Sequence, residues 1–244
     1  MDDAKKLAEV SAQLADPVRA AMILNLMDGS SRPAGELRLA ANISPSSAST
    51  HLSKLVNARI LTVAKQGRAK YYRITTAAVA HAVEALQIVA SPIVSTPVAT
   101  LRAAARSPLN PFSFARTCYD HLAGKLGVEV TAALQKQNII RASGKAYEVT
   151  DSGAVWLREL GIDATTLQAE RRMFATQCLD FTERRHHLAG ALGAALLARM
   201  VELDWIHKLH MPRSVRLTTK GRTELGKRLR LEFTEGQNVR YKPD

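Results

Sequence analysis

Cysteine is scarce in this sequence, with Cys118 and Cys178 the only two. That number excludes a disulfide framework, and a reducing compartment would keep both as thiols. Aromatic residues are also few, at 5%, while Ala and Leu abound, which points to helices. No apolar run reaches the length that spans a bilayer, and the opening MDDAKKLAEV has no signal-peptide core. The expectation is a cytoplasmic protein without a membrane partner. Catalytic signatures are missing too. There is no phosphate-cradling Gly-rich loop with Lys, no GxSxG, no HExxH and no recognisable carboxylate pair. An enzyme is not expected.

What the chain does have is positive charge. Against 22 acidic residues stand 34 Lys and Arg, for a net charge of +12 and a pI near 10. Such a balance asks for an anionic partner, nucleic acid before any other. Hydrophobic residues make up 46% of the 244, enough for a packed core and too many for wholesale disorder.

The first 90 residues carry the clearest local signals. Leu7, Val10 and Leu14 recur at helical spacing in residues 3–15. Asp16 before Pro17 is an N-cap with Pro at the first helical position, and the next helix ends at Asp28-Gly29. A short helix over 34–41 leads through a turn to Ser44-Pro45, which opens a helix over 45–58. Its inward face is Ala48, Leu52, Leu55 and Val56; its outward N-terminal end is Ser46, Ser47, Ser49 and Thr50, with His51 and Lys54 beside them. Small hydroxyl side chains on a helix N-terminus approach phosphates closely and offer donors to base edges. A solvated, Ser-rich face has the same composition, so the sequel decides. Residues 60–64 and 70–74 read as strands around a tight turn at Gly67. From Lys54 to Arg73 there are six basic residues, Lys65, Arg68 and Lys70 among them, and no acidic one. A basic hairpin next to such a helix is built to grip phosphate.

The connected pattern DPVRAAMILNLM, GEL, SPSSASTHLSKLVNARIL and KQGRAKYYRI resembles the ArsR-type (ArsR-SmtB) winged helix-turn-helix repressors over residues 1–90. The resemblance implies a transcription regulator bound to double-stranded DNA. It also implies a homodimer joined through the first helix and the helix after the wing, near 76–89, reading a pseudo-palindromic operator. The family's usual metal motifs do not carry over. Residues 32–37 hold no cysteine, and the helix after the wing offers only His81 and Glu84.

Residues 91–111 contain four prolines and read as a linker. Beyond it, in 112–244, an internal repeat appears, with copies near 112–165 and 166–235. Cys118-Tyr119-Asp120-His121-Leu122-Ala123-Gly124 recurs as Cys178-Leu179-Asp180, an insert, then His187-Leu188-Ala189-Gly190. Val149 to Gly153 matches Leu217 to Gly221. Each copy is expected to read helix, helix, strand, turn, strand, helix. The expected fold class is therefore mainly α with short β-hairpins: a winged helix-turn-helix followed by two degenerate winged-helix-like repeats.

Cys118 and His121, three apart on an expected helix, share a face beside Asp120; Cys178, Asp180, His186 and His187 supply a matching set. Two readings stay open. The residues are buried for packing, the commoner fate of such side chains. Or they converge on a soft metal ion or a thiol-reactive effector, although neither pair has Cys-x-x-Cys spacing. Arg184-Arg185-His186-His187, with Arg171 and Arg172 upstream, form a basic insert, either a solvated loop or a grip on an anionic effector, and eight Lys or Arg with His210 fill 208–230, available for nonspecific phosphate contacts. The tail from residue 236 reads as frayed. These features point to a homodimeric repressor released by an effector, or by thiol or metal chemistry in its second half. The rival is an architectural, nonspecific nucleic-acid binder without an effector.

Overall fold

The computed structural model describes residues 2–90, 111–180, 182–209, 213–234 and 238–242. The chain divides into two compact units, Met1–Val83 and Glu84–Asp244. The expected linker at 91–111 lies, apart from Pro111, outside the described residues.

The first unit holds α1 (Asp2–Leu14), α2 (Pro17–Asn25), β1 (Arg32–Pro33), α3 (Ala34–Ala40), α4 (Pro45–Asn57), β2 (Leu61–Gln66), β3 (Ala69–Ile74) and the start of α5 (Ala77–Ala90). Local chemistry fixes the joints. The Asp16 carboxylate accepts from Arg19 N at 2.9 Å and caps α2; Ser44 Oγ accepts from Ser47 N at 3.3 Å and caps α4. The buried Arg19 guanidinium donates to the carbonyls of Ala12 and Gln13, satisfying acceptors that the end of α1 leaves open. Met22, Ile23, Leu26, Met27, Leu37, Leu52, Leu55 and Ile74 make a dry core, each Leu burial contributing about 1.5–3 kcal/mol. The sheet runs β1-β3-β2, antiparallel, with Gln66 opposite Ala69 across the turn. Gly67 has φ +59° at the first turn position, a conformation that glycine adopts without a Cβ penalty. This is the expected winged helix-turn-helix.

The second unit begins within α5. It continues with α6 (Pro111–Phe114), β4 (Arg116–Cys118), β5 (His121–Ala123), α7 (Gly124–Lys136), β6 (Ile140–Ser143), β7 (Ala146–Val149), α8 (Asp151–Glu159) and α9 (Ala164–Gln168). Then come β8 (Thr176–Leu179), β9 (His186–Ala189), α10 (Gly190–Glu202), β10 (Ile206–Lys208), β11 (Val215–Leu217), α11 (Thr219–Leu229), β12 (Leu231–Thr234) and β13 (Asn238–Tyr241). Leu126, Leu134, Leu157, Leu192, Trp205, Ile206 and Leu225 fill one continuous core. Strands β6-β7-β8-β9 form one sheet; β4-β5, β10-β11 and β12-β13 are two-stranded.

Two expectations fail here. The order is hairpin, helix, hairpin, helix, not helix, helix, hairpin, helix, because the Cys-x-x-His segment turns back on itself. Tyr119 takes φ +59°, and Cys118 pairs with His121 across the turn. The tail is not frayed at 238–241, where β13 pairs along β12 from Asn238 to Tyr241. Thr150 and Thr218 cap α8 and α11, accepting from Gly153 N and Gly221 N, both at 2.9 Å.

Candidate functional site

Two places carry chemistry. The first is the face made by α4 and the wing. Pro45 and the Ser44 cap start α4, and Ala48, Leu52 and Leu55 anchor its inner side. That leaves Ser46, Ser49, Thr50 and Lys54 exposed and Ser47 half-buried. On the wing Lys65, Arg68 and Lys70 are all exposed or nearly so, with Arg73 further along β3. The register places Lys65 directly opposite Lys70, two like charges that only an anionic partner would make favourable.

The second lies in the other unit. Hairpin β4–β5 presents Cys118 and His121 as a cross-strand pair, and β8–β9 presents Cys178 and His187 the same way. All four are buried, between 1% and 8% exposed. The sulfurs stand 3.8 Å apart and the two Nε2 atoms 3.1 Å apart, and the four ligand atoms lie within 4.8 Å of one another. Each ring has a carboxylate behind it. Nδ1 of His121 meets Asp120 Oδ1 at 3.3 Å, and Nδ1 of His187 faces Asp180 Oδ2 at 3.4 Å.

The carboxylates are themselves held. Arg172 donates to Asp120 at 2.8 Å. Asp180 is fully buried and accepts from Arg116 Nη2 at 2.8 Å on both oxygens, and from the backbone N–H groups of Gly124, Thr182 and Glu183. Burial opposes its charge, yet the Arg116 guanidinium and the His187 ring hold its carboxyl well below the usual range. The Cys178 thiol is lowered by the hydrogen bond from Cys118, against the burial that opposes it, and by those from His121 and His187. Cys118 is pushed up by the same pairing and by burial. Burial disfavours charge on His121, but Asp120 and the Cys178 sulfur outweigh it and raise that ring's pKa. The arrangement is two soft sulfurs and two oriented imidazoles around one point, a donor set suited to a borderline or soft cation.

A family model described as "Bacterial regulatory protein, arsR family" matches residues 16–63. Over 228 residues the chain is 41% identical to the uncharacterized HTH-type transcriptional regulator YdfF of Bacillus subtilis (strain 168), covering 93% of this chain and 98% of that one. The chain belongs to the ArsR family. It is a DNA-binding transcriptional regulator of that family. Solved structures similar to this ArsR-family regulator include the transcriptional repressor BigR from Xylella fastidiosa, 26% identical with a TM-score of 0.34 over 36% of this chain and 89% of that one. NolR from Sinorhizobium fredii is 23% identical, TM-score 0.34, over 36% and 87% of the two chains.

Several of the expected site residues of the ArsR-family regulator move. His51 does not point outward with the serines. It is half-buried, its Nδ1 3.6 Å from the carboxylate of Asp16, the residue that caps α2. His186 is exposed on β9, one residue from the buried His187, because neighbouring strand residues face opposite sides. Asp120 and Asp180 stand behind the histidines, not among the four ligand atoms. Cys118 and His121 share a hairpin, not a helix face. Arg213, counted with the exposed basic residues of 208–230, is buried. It pairs with Glu84, donates to Gln87 Oε1 at 3.2 Å and to Thr117 O at 3.0 Å, and its carbonyl accepts from Thr117 N at 2.8 Å. Glu84, set beside His81 in the sequence, is thus committed to Arg213. Arg185 of the basic insert pairs with Glu129, and Arg172 with Asp120. Arg116 was missed altogether. Nothing in the sequence marks it except its place two residues before Cys118, on the strand that carries the thiol.

Among the described residues no helix is long and apolar enough to cross a membrane.

Proposed function

We propose that the protein is a homodimeric repressor that reads a pseudo-palindromic operator with α4 and grips flanking phosphates with the wing. Ser46, Ser47, Ser49 and Thr50 meet base edges, Lys54 lies along the backbone, and Lys65, Arg68 and Lys70 hold phosphate. The observation that carries this is the exposed, acid-free pairing of Lys65 with Lys70 beside a capped helix whose N-terminal end is rich in small hydroxyls. The dimer is supported by apolar side chains that the single chain leaves uncovered, Leu7 and Val10 on α1 and Leu86 and Val89 on α5.

The second unit is two copies of one module, each a hairpin, a helix, a second hairpin and a helix. Reciprocal contacts favour this reading. Thr117 N of the first copy donates to Arg213 O of the second, and Gln177 N of the second donates to Lys145 O of the first. An effector reaching the Cys/His centre shared by the copies releases the repressor through metal or thiol chemistry.

A footprint with purified protein tests the core of the reading. A discrete protected palindrome is expected; uniform coating of any DNA would instead make it an architectural binder. Arg68→Ala should weaken binding across sequences and lower the salt slope by about one. An unchanged slope removes the wing from the interface.

A further inference from the structure

We propose that Cys118, His121, Cys178 and His187 form a closed, tetrahedral site for one zinc-class divalent ion, clamping hairpin β4–β5 to hairpin β8–β9. This deepens the reading above by naming the ligand of the second unit, and it rests on that reading only for its regulatory meaning.

The spacing fits an ion. A tetrahedral ion with sulfurs at about 2.3 Å and imidazole nitrogens at about 2.0–2.1 Å holds its two sulfurs about 3.8 Å apart and its two nitrogens about 3.3–3.4 Å apart. Here the separations are 3.8 Å and 3.1 Å. The sulfur–nitrogen edges of such a site, about 3.5–3.6 Å, lie inside the 4.8 Å that encloses all four atoms, within reach of small side-chain rotations.

The orientation of the rings asks for an ion as well. Nδ1 of His121 hydrogen-bonds Asp120, and Nδ1 of His187 lies 3.4 Å from Asp180 Oδ2 without a hydrogen bond. Both rings thus turn Nε2 away from the carboxylates and toward each other, 3.1 Å apart, beside the paired sulfurs. A proton shared between the rings would answer the histidines but gives no reason for two cysteines to meet at the same point. An ion answers all four. On binding, the protons held among the sulfurs and the Nε2 atoms leave to solvent, the sulfurs coordinate as thiolates and the imidazoles as neutral rings.

Four protein ligands leave no open position, which is the pattern of a site that holds structure and not of one that activates water. Two of the ligands come from each half of the unit, so the ion closes a link between strands 60 or more residues apart. Thr117, next to Cys118, is tied through both its N–H and its carbonyl to Arg213, which holds Glu84 on α5. The chain enters α5 directly from the wing, so the ion's clamp ends on the helix that follows the DNA-binding elements.

The test uses full-length protein, reduced and stripped with a chelator, then titrated with Co(II) and Zn(II). The expected result is one equivalent of Co(II) per chain, with intense visible bands of four-coordinate cobalt and a thiolate charge-transfer band, all displaced by Zn(II). Zn(II), and not Mg(II), should raise the melting temperature followed by tryptophan fluorescence. Cys178→Ser and His187→Asn should lose the cobalt bands, and His186→Asn should keep them. Reduced wild-type protein with a folded far-UV spectrum that takes up no Co(II) overturns the proposal, whether or not the variants fold. So does a six-coordinate spectrum without thiolate charge transfer, or cobalt bands that persist in both ligand variants. A thiol pair that closes to a disulfide under mild oxidant, in protein that takes up no metal when reduced, assigns the centre to redox chemistry instead. No DNA enters this experiment, so its outcome is independent of the footprint.

Discussion

Replacing Arg213 with Met separates two accounts of this residue. As one of the basic residues of 208–230 it would be a phosphate contact, and its loss would weaken DNA binding without touching stability. In the structure its side chain and that of Glu84 are 4% and 5% exposed and form an ion pair. Removing one partner of a buried pair typically costs about 3–5 kcal/mol, since the other charge remains in a low-dielectric site. The Thr117 carbonyl loses a donor too, worth about 1 kcal/mol. Replacing both partners, Arg213→Met with Glu84→Leu, should recover most of the loss, because buried pairs exchanged for apolar residues of similar volume are often neutral. Urea unfolding followed by tryptophan fluorescence suits the test. The chain's two tryptophans, Trp156 and Trp205, both lie in the second unit, so the first is silent. With a slope of about 2 kcal/mol per M, a loss of about 4 kcal/mol moves the midpoint by about 2 M. A shift below about 0.5 M for the single variant, or a double variant no more stable than the single, would refute the buried-pair account.

Close approach and capping give two further tests. A Cβ on Gly153 would sit 1.9 Å from the Ile139 carbonyl oxygen, and one on Gly221 2.2 Å from that of Trp205, whereas Gly35 has nothing within 4 Å. Gly153→Ala should therefore cost at least the 1–3 kcal/mol, roughly, of an overpacked core, and Gly35→Ala should be neutral or stabilising by up to about 1 kcal/mol; equal melting temperatures for the two would contradict the packing. The Arg19 backbone N–H lowers the Asp16 carboxyl below its ordinary value. A lowered folded-state pKa means stability that is present above the unfolded value and lost as pH falls through the folded one. Asp16→Ala should cost about 1 kcal/mol at neutral pH, and the variant and the parent should melt alike once the pH is below that lowered value. A gap that persists in acid would show that the cap works through something other than the carboxylate's charge.

The winged unit was legible because its signals are local. Asp16-Pro17 and Ser44-Pro45 each place a cap and a φ-fixing proline at a helix start, and Gly67 sits where a two-residue turn needs positive φ. None of these depends on distant residues. His51 was misplaced because Asp16, the residue its ring lies beside, is 35 positions earlier, and Arg213 because its partner Glu84 lies 129 positions away.

The Cys/His centre is different, since the sequence held evidence against the helix it was given. Cys118 precedes His121 by three residues and Cys178 precedes His187 by nine. On a helix of about 100° per residue, three positions return to the same side, but nine land on the opposite one. No helix can bring both pairs to equivalent places. A hairpin can, because an insertion between paired strands only lengthens the loop. Here β8 ends at Leu179 and β9 begins only at His186, and Cys178 still pairs with His187 as Cys118 pairs with His121. At the second pair the alternation agrees, since His187 turns inward while His186 faces solvent. The unequal spacing, which looked like an imperfect repeat, was thus the one sequence feature that distinguished a pair of strands from a helix face, and the strand pair is what brings four ligands to one point.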